Sequence, residues 1–221
     1  MGEIVTYPSN GHQASGYLTG SSGPGVIVIQ EWWGLNDNIK AIADQFAAAG
    51  FVALAPDLYH GEVASAPDDA RRLAMNLEMS QAAKDMSGAV DYLLGKADGN
   101  KLGVVGFCLG GGLALTLAAQ RPDVISAAAP FYGLPRQLEE LDWQGMTAKV
   151  QGHYGELDQG IKAENVRAFE ARLKALSKDV DISIYEGANH AFFNETGRNH
   201  HPEIAKLAWE KTVAFLRTEL T

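Results

Sequence analysis

The sequence contains only one cysteine among its 221 residues, so it cannot form an internal disulfide, and no apolar run is long enough to span a membrane. Basic residues are also scarce, because 18 Lys and Arg stand against 27 Asp and Glu. The resulting net charge of −9 argues against nucleic acid as a partner, since its binders carry basic patches. The first residues lack the basic region and apolar run of a signal peptide. We therefore expect a cytoplasmic protein without nucleic-acid or membrane partners, in which the thiol stays reduced.

The hydrophobic content of 46% is typical of a globular chain, and the length fits one domain over residues 1–221. Short apolar runs alternate with helical patterns, which predicts an α/β fold with a mostly parallel central sheet and helices on both faces. A hairpin with the turn at residues 8–11 precedes this alternation. The predicted strands are residues 3–7, 15–18, 26–30, 51–55, 102–107, 124–132, 148–154 and 181–185. The predicted helices are residues 37–49, 69–77, 80–95 (capped by Ser80), 109–121, 161–177 and 202–220, with a short helix also considered within 134–146.

The segment 104–114 (VVGFCLGGGLA) predicts a strand, a sharp turn and a helix, with Cys108 at the tip of the turn. This arrangement is typical of the nucleophile elbow of α/β-hydrolases. Gly106 and Gly110 flank the tip, where any side chain would clash as the backbone folds back. The helix N-terminus favours negative charge and therefore the thiolate of Cys108. The alternative, a small buried hydrophobe at Cys108, does not account for the flanking glycines.

Two more side chains complete a candidate catalytic group at the carboxyl ends of later strands, where parallel sheets bind their ligands. Cys108, Asp158 and His190 occur in the nucleophile–acid–base order of the α/β-hydrolases. His190 would accept the thiol proton and later deliver it to the leaving group, and Asp158 would orient the imidazole. Glu156 is the nearest competitor of Asp158 for that role.

The five remaining histidines are interpreted as bystanders. His153 lies within a strand and is expected to be structural, and His12 lies in a surface turn. His200 and His201 are expected to cap the last helix or to face solvent, whereas His60 lies in a loop near the crevice and is a candidate for substrate contact. The sequence shows no ligand spacing typical of a metal site, so we expect neither a metal nor a cofactor.

The oxyanion of an acyl-transfer intermediate requires two backbone N–H donors. We expect one from Leu109, the residue after the nucleophile, and the other from Trp32, which follows the strand at residues 26–30. Aromatic side chains gather near the same strand ends and predict an apolar, aromatic-lined pocket, with core packing as the alternative for several of them. They are Trp32, Trp33, Tyr59, Phe131, Tyr132, Phe192 and Phe193.

Five segments at sensible spacings resemble the dienelactone hydrolase family, also called carboxymethylenebutenolidases. They are residues 30–36 (QEWWGLN), 55–59 (APDLY), 106–111 (GFCLGG), 154–155 (YG) with Asp158, and 187–192 (GANHAF). The resemblance spans nearly the whole chain and implies the α/β-hydrolase fold. It also implies a Cys108–His190–Asp158 triad that hydrolyses a lactone or ester through a thioester acyl-enzyme.

The resemblance further gives a role to Glu31, because in the family this glutamate approaches the cysteine and controls its ionisation. A nearby carboxylate disfavours the thiolate by like-charge repulsion. Family members that take dienelactone bind its carboxylate with two arginines. Arg71 or Arg72 could supply the first, but the second position is the uncharged Asn194, and Arg198 could substitute for it. We therefore expect a substrate other than dienelactone itself, since an amide cannot replace a bidentate guanidinium.

These patterns together predict a monomeric cysteine hydrolase of small lactones or esters that needs no cofactor. Two alternatives remain: a broader carboxylesterase or thioesterase on the same triad, and a binding module that keeps the triad but turns over little. A thiol–disulfide redox role is disfavoured, because Cys108 has no resolving cysteine in the chain.

Overall fold

The computed structural model describes residues 2–221, which form an eight-stranded sheet and six α-helices. The strands are β1 (Glu3–Ser9), β2 (His12–Thr19), β3 (Pro24–Ile29), β4 (Val52–Pro56), β5 (Asp98–Phe107), β6 (Ile125–Phe131), β7 (Lys149–Gly155) and β8 (Val180–Tyr185). The helices are α1 (Asp37–Ala48), α2 (Pro67–Asn76), α3 (Met79–Leu94), α4 (Leu109–Gln120), α5 (Ala163–Ala175) and α6 (Pro202–Leu220).

The sheet order is β1-β2-β4-β3-β5-β6-β7-β8. The first two strands form an antiparallel hairpin, β2 pairs antiparallel with β4, and every later pair is parallel. The predicted α/β-hydrolase fold is therefore confirmed. The hairpin turn is shorter than predicted, because Pro8 and Ser9 pair within the ladder and only Asn10 and Gly11 turn, both with positive φ. Two such residues give a turn whose twist matches that of the strands.

Helices cover both faces of the sheet and produce two apolar layers. Helices α1 and α6 bury one layer, and α3, α4 and α5 bury the other. Helix α4 lies deepest, since every residue from 110 to 119 is buried. This depth explains the near absence of polar residues from its sequence. The elbow helix is thereby fixed rigidly behind the reactive position.

Several sequence-based boundaries differ from the observed ones. Ser80 was expected to cap a helix, but α3 begins at Met79, directly after Glu78, and has no side-chain cap. The ambiguous stretch 134–146 contains only a short 3₁₀ turn over Leu138–Glu140. Pro56, expected to end its strand, is the last residue of β4. None of the helices in residues 2–221 has the length and apolar character needed to cross a membrane.

Candidate active site

The turn between β5 and α4 presents Cys108 in a backbone conformation that is unusual for a non-glycine residue, with φ 54° and ψ −115°. A Cβ on Gly106 would lie 2.0 Å from the carbonyl oxygen of Gly110, and one on Gly110 would lie 2.4 Å from that of Ile29. Both positions therefore require glycine, as the sequence predicted. The thiol is held at the N-terminus of α4 by a strained backbone of the kind that clusters at reactive sites.

Three side chains from different strand ends form one hydrogen-bonded chain. His190 Nε2 lies 3.1 Å from Cys108 Sγ, and His190 Nδ1 lies 2.6 Å from Asp158 Oδ2. The other oxygen of Asp158 accepts from the backbone N–H groups of Gly160 at 2.8 Å and Ile161 at 2.9 Å. Three hydrogen bonds thus fix the orientation of this buried carboxylate. Glu156 accepts instead from the Gly187 N–H at the surface, so it does not compete with Asp158.

The hydrogen bonds among these three side chains favour a protonated His190. Burial disfavours the imidazolium of His190, but hydrogen bonds to Asp158 and Cys108 outweigh it and raise the pKa of His190 to about 10. Burial raises the pKa of Asp158, and this effect is exceeded by the hydrogen bond from His190 and those from the backbone, so the net shift is downward. The imidazolium of His190 is thus held between the carboxylate of Asp158 and the sulfur of Cys108.

Glu31 is a buried carboxylate close to these three side chains. Its oxygens accept from the Tyr132 hydroxyl at 3.1 Å and from Asn194 Nδ2 at 2.7 Å. Burial raises the pKa of Glu31, although the two hydrogen bonds oppose that shift. Asn194 was expected to contact substrate, but it is 5% exposed and positions Glu31 instead. The Cys108 Sγ faces His190, whereas the hydrogen bonds of Glu31 go to Tyr132 and Asn194.

The two expected oxyanion donors lie at the positions that the sequence indicates. Leu109 begins α4, and Trp32 follows the carboxyl end of β3. Within residues 2–221 neither backbone N–H donates to a protein acceptor. Both are therefore free to donate to a ligand oxygen. Gly110 brings the two segments together by packing against the backbone of Ile29 and Gln30.

A cavity of about 760 Å³ opens at Cys108 and His190. This size lies in the range typical of small-molecule sites. Trp32 and Tyr132 line it near the thiol, and it continues between α3, α4 and the loop that follows β6. The cavity therefore combines a nucleophile, a base, two backbone donors and largely apolar walls.

The sequence matches the model of the dienelactone hydrolase family over residues 15–220. This chain belongs to the dienelactone hydrolase family. The family comprises hydrolases that act on ester and lactone bonds, and this member is accordingly a hydrolase of that kind.

Two relatives of this dienelactone hydrolase family member match it over their full lengths. "Protein usf" of Aquifex pyrophilus is 38% identical, and a "Putative carboxymethylenebutenolidase" of Aquifex aeolicus is 35% identical, each alignment covering 100% of both chains. The crystal structure titled "Putative Dienelactone Hydrolase" from Klebsiella pneumoniae superposes with a TM-score of 0.87, at 26% identity and 98% coverage of each chain.

The arginines expected from the family resemblance are not at the cavity of this family member. Helix α2 buries Ala70, Leu73 and Ala74, so its register turns Arg71 and Arg72 outwards. Arg72 pairs with Glu62 at 3.2 Å on the surface. Arg198 is exposed as well and is absent from the cavity lining. The assignment of these arginines to the substrate site was therefore wrong.

One arginine that the sequence reasoning missed does line the cavity. Arg136 lies at its exposed edge, in the loop after β6, close enough to Tyr59 to oppose the rise in the pKa of that phenol to about 12. Burial is the main cause of the rise. No periodic pattern marks this loop, so the sequence offered no signal for Arg136.

Most of the expected aromatic lining belongs to the core of this family member. Phe131, Phe192 and Phe193 are buried and pack against one another or against neighbouring rings. Trp33 packs edge to ring against Trp32. Tyr59 is 6% exposed, and its phenol lies close enough to Cys108 for the charge of Cys108 to contribute to its raised pKa. Phe192 is therefore corrected from cavity lining to core packing, and Trp33 does not line the cavity. Tyr59 stays a candidate for substrate contact.

The other histidines serve structural contacts. His153 is buried between the hydroxyls of Tyr185 and Thr212, as expected for a structural residue. His60 approaches Asp85 at 3.3 Å, away from the cavity, so the substrate contact considered for it was wrong. His201 occupies the cap position of α6 without a side-chain hydrogen bond. Across residues 2–221 no group of three His, Cys, Asp or Glu side chains could hold a metal.

Proposed function

We propose that the protein hydrolyses small lactones or esters with Cys108 as nucleophile and His190 as general acid and base. Asp158 orients His190 and stabilises its protonated form. The observation that carries this proposal is the continuous chain from Asp158 Oδ2 through His190 to Cys108 Sγ, with links of 2.6 and 3.1 Å. We also propose that the protein acts in the cytoplasm, where its one thiol stays reduced.

The first half of the reaction forms a thioester. The thiolate of Cys108 attacks the carbonyl carbon, and the carbonyl oxygen becomes an oxyanion that accepts from the N–H groups of Leu109 and Trp32. Each such donor contributes about 3 kcal/mol to the transition state. Collapse of the intermediate breaks the bond from carbon to the leaving oxygen, which takes a proton from His190 Nε2. In a lactone that oxygen stays attached to the acyl group as a hydroxyl.

The second half consumes water and regenerates the enzyme. His190, now neutral, accepts a proton as water attacks the thioester carbon, and the same two N–H groups receive the second oxyanion. Breakage of the C–S bond releases the acid and restores the thiolate beside the imidazolium. Asp158 supports both halves, because its charge stabilises the imidazolium without itself being protonated.

Glu31 enters the proposal as the residue that controls the ionisation of Cys108. It is held by Tyr132, whose ring lies 5.1 Å from that of His190, and its carboxylate therefore adds negative charge beside the thiolate. Glu31→Gln should then be alkylated by iodoacetamide faster than the native protein at neutral pH. An alkylation profile that does not change across pH would reject this role.

The experiment for the main proposal measures p-nitrophenyl ester and lactone hydrolysis by the native protein and Cys108→Ala. Turnover by the native protein with a trapped thioester on Cys108, seen by mass spectrometry, and loss of both in the variant are expected. Full activity in Cys108→Ala would remove the proposal. A stoichiometric burst without turnover would favour the alternative of a ligand-binding module, and turnover of thioesters above lactones would favour a broader esterase or thioesterase.

A further inference from the structure

The cavity extends well beyond the reacting groups, along one face of α4. Its lining includes Leu109, Gly112, Leu113, Thr116 and Gln120. These positions are separated by three, four, seven and eleven residues from the first, so they form one stripe of the helix. Eleven residues at the helical rise of 1.5 Å give this stripe a length of about 16 Å. A small lactone would fill only the end near Cys108.

The wall opposite this stripe is apolar and adaptable. Helix α3 contributes Met79, Ala83 and Met86, again at positions that share one helix face. Methionine side chains adjust their shape to an apolar ligand more readily than branched ones. The Thr116 hydroxyl donates to the Gly112 carbonyl at 3.0 Å, so its hydrogen-bonding capacity is used within α4.

Apart from His190 beside Cys108, the charged lining residues lie at the solvent-exposed edge. Arg136 and Glu140 both come from the loop after β6, and both are exposed. Gln137 Nε2 donates to Glu140 Oε1 at 3.0 Å, which partly satisfies that carboxylate. The interior between Cys108 and Gln120 therefore offers apolar contact and little that would bind a charged group.

We propose that this space is an acyl channel, formed by the α4 stripe and the three α3 residues, which binds a linear aliphatic acyl chain. The inference rests on the proposed function and narrows its substrate to esters or thioesters of medium-chain acids. An extended alkyl chain advances by about 1.3 Å per carbon, so the stripe of about 16 Å corresponds to a chain of up to about twelve carbons.

The position of His190 assigns the channel to the acyl side of the substrate. The leaving oxygen must lie within reach of His190 Nε2, since that atom supplies its proton. The acyl carbon is bonded to Cys108 Sγ, and α4 leads away from Cys108 with each successive turn. The acyl chain can therefore run along α4 while the leaving group departs on the His190 side.

The first test varies the acyl chain while the leaving group stays constant. The p-nitrophenyl esters of acetate, butyrate, octanoate and decanoate are compared by kcat/KM. Burial of each added methylene should raise kcat/KM by about threefold to fourfold until the channel is full. A flat or falling series overturns the acyl channel, although hydrolysis of the acetate would still support the proposed function. Alkyl acetates of increasing alcohol length should give a flat series, and a steep rise there instead also overturns it.

Variants test the location of the chain. Thr116→Phe places a ring about halfway along the stripe and should lower the ratio of decanoate to acetate activity at least tenfold. Met79→Ser should lower the same ratio about threefold and serves if Thr116→Phe does not fold. Met75→Ser is the matched control, because Met75 is 73% exposed and lies outside the cavity. A ratio that stays unchanged in both channel variants overturns the proposal.

A second measurement does not depend on turnover. Bromomethyl ketones with alkyl chains of increasing length alkylate Cys108, and intact mass reports the rate. Faster alkylation by the longer chains, reduced in Met79→Ser but not in Met75→Ser, is expected even if no ester is hydrolysed. Faster alkylation by the longer chains in a protein that hydrolyses no ester would support the channel and reject the proposed hydrolysis. Rates that do not depend on chain length overturn the channel. Preference for short carboxylated substrates that Arg136→Gln abolishes would overturn it as well.

Discussion

Two regions of this protein each hold an imidazole between two hydrogen-bonding partners, yet they treat its charge in opposite ways. His190 lies between a carboxylate and a thiol, and these interactions raise its pKa to about 10. His153 lies between the hydroxyls of Tyr185 and Thr212, and burial lowers its pKa to about 3. The comparison teaches that the chemistry of the partners decides between a reactive and a structural histidine at neighbouring strand ends.

The hydrogen bonds around the neutral His153 also fix its tautomer. The Thr212 hydroxyl donates to the Ala208 carbonyl at 2.9 Å, so towards His153 it acts as an acceptor. Nε2 of His153 must therefore carry the proton, and Nδ1 accepts from the Tyr185 hydroxyl. Three neutral groups thus satisfy one another, and the region gains rigidity without a charge that could take part in proton transfer.

The largest expected difference between the two regions is the change in kcat when each imidazole is removed. His190→Gln should lower kcat for ester hydrolysis by about 10⁴-fold to 10⁶-fold, because it removes the proton acceptor and donor. His153→Gln should change kcat by less than about threefold while lowering stability by about 1–3 kcal/mol through unsatisfied buried groups. Steady-state kinetics and urea unfolding of both variants check this contrast, and comparable kcat losses would show that it is wrong.

Next in size is the removal of the charge that distinguishes the two regions. Asp158→Asn should reduce kcat by about 10⁴-fold, since an amide stabilises the wrong tautomer and no longer supports the imidazolium. The pKa of His190 should fall in the variant, whereas that of His153 should stay unchanged. NMR titration of the ring protons measures both values, and a His190 pKa that remains near 10 would contradict the role given to Asp158.

The dependence of stability on pH should differ in sign between the two regions. His190 binds its proton more tightly in the folded state, so its stabilisation is present below about pH 6.5 and is lost as the pH rises through about 10. His153 binds its proton more weakly when folded, so its stabilisation is present above about pH 6.5 and is lost as the pH falls towards about 3.

Urea unfolding of the native protein, His190→Gln and His153→Gln across pH tests this prediction. The stability difference between the native protein and His190→Gln should shrink towards alkaline pH. The corresponding difference for His153→Gln should shrink towards acid pH. Two differences that change in the same direction would invalidate the assigned protonation states.

The smallest expected effect concerns one hydroxyl. Thr212→Val leaves the Nε2–H of His153 without a partner and should cost about 1–2 kcal/mol of unfolding free energy. Thr218→Val is the matched control, because Thr218 makes the same bond to the carbonyl four residues earlier but is exposed. Its cost should stay within about 0.5 kcal/mol. Chemical denaturation gives both values, and equal costs would remove the structural role of the His153 contact.

Local sequence patterns predicted much of the fold and the sharp turn at Cys108. The alternation of apolar strands and amphipathic helices predicted the parallel sheet, and the glycines around Cys108 predicted a turn that the structure contains. The order of Cys108, Asp158 and His190 predicted which strand ends meet. These inferences worked because periodicity and glycine requirements depend on short-range geometry, which a sequence states directly.

The cavity was predicted less well. Arg71 and Arg72 face solvent because three buried residues set the register of α2, and Asn194 turns inward to bind Glu31. Arg136 reaches the cavity edge from a loop without a repeating pattern. The orientation of each of these side chains depends on contacts between segments far apart in the chain.

The sequence by itself determined the fold class, the elbow and the identity of the candidate reacting groups, because each follows from local spacing and residue chemistry. Only the tertiary structure decided the geometry of the predicted His190–Asp158 pair, which arginine reaches the cavity and how far the cavity extends along α4. The physical reason is that charge and shape at a site arise from surfaces brought together by packing. The same residue type is therefore neutral at position 153 and cationic at position 190.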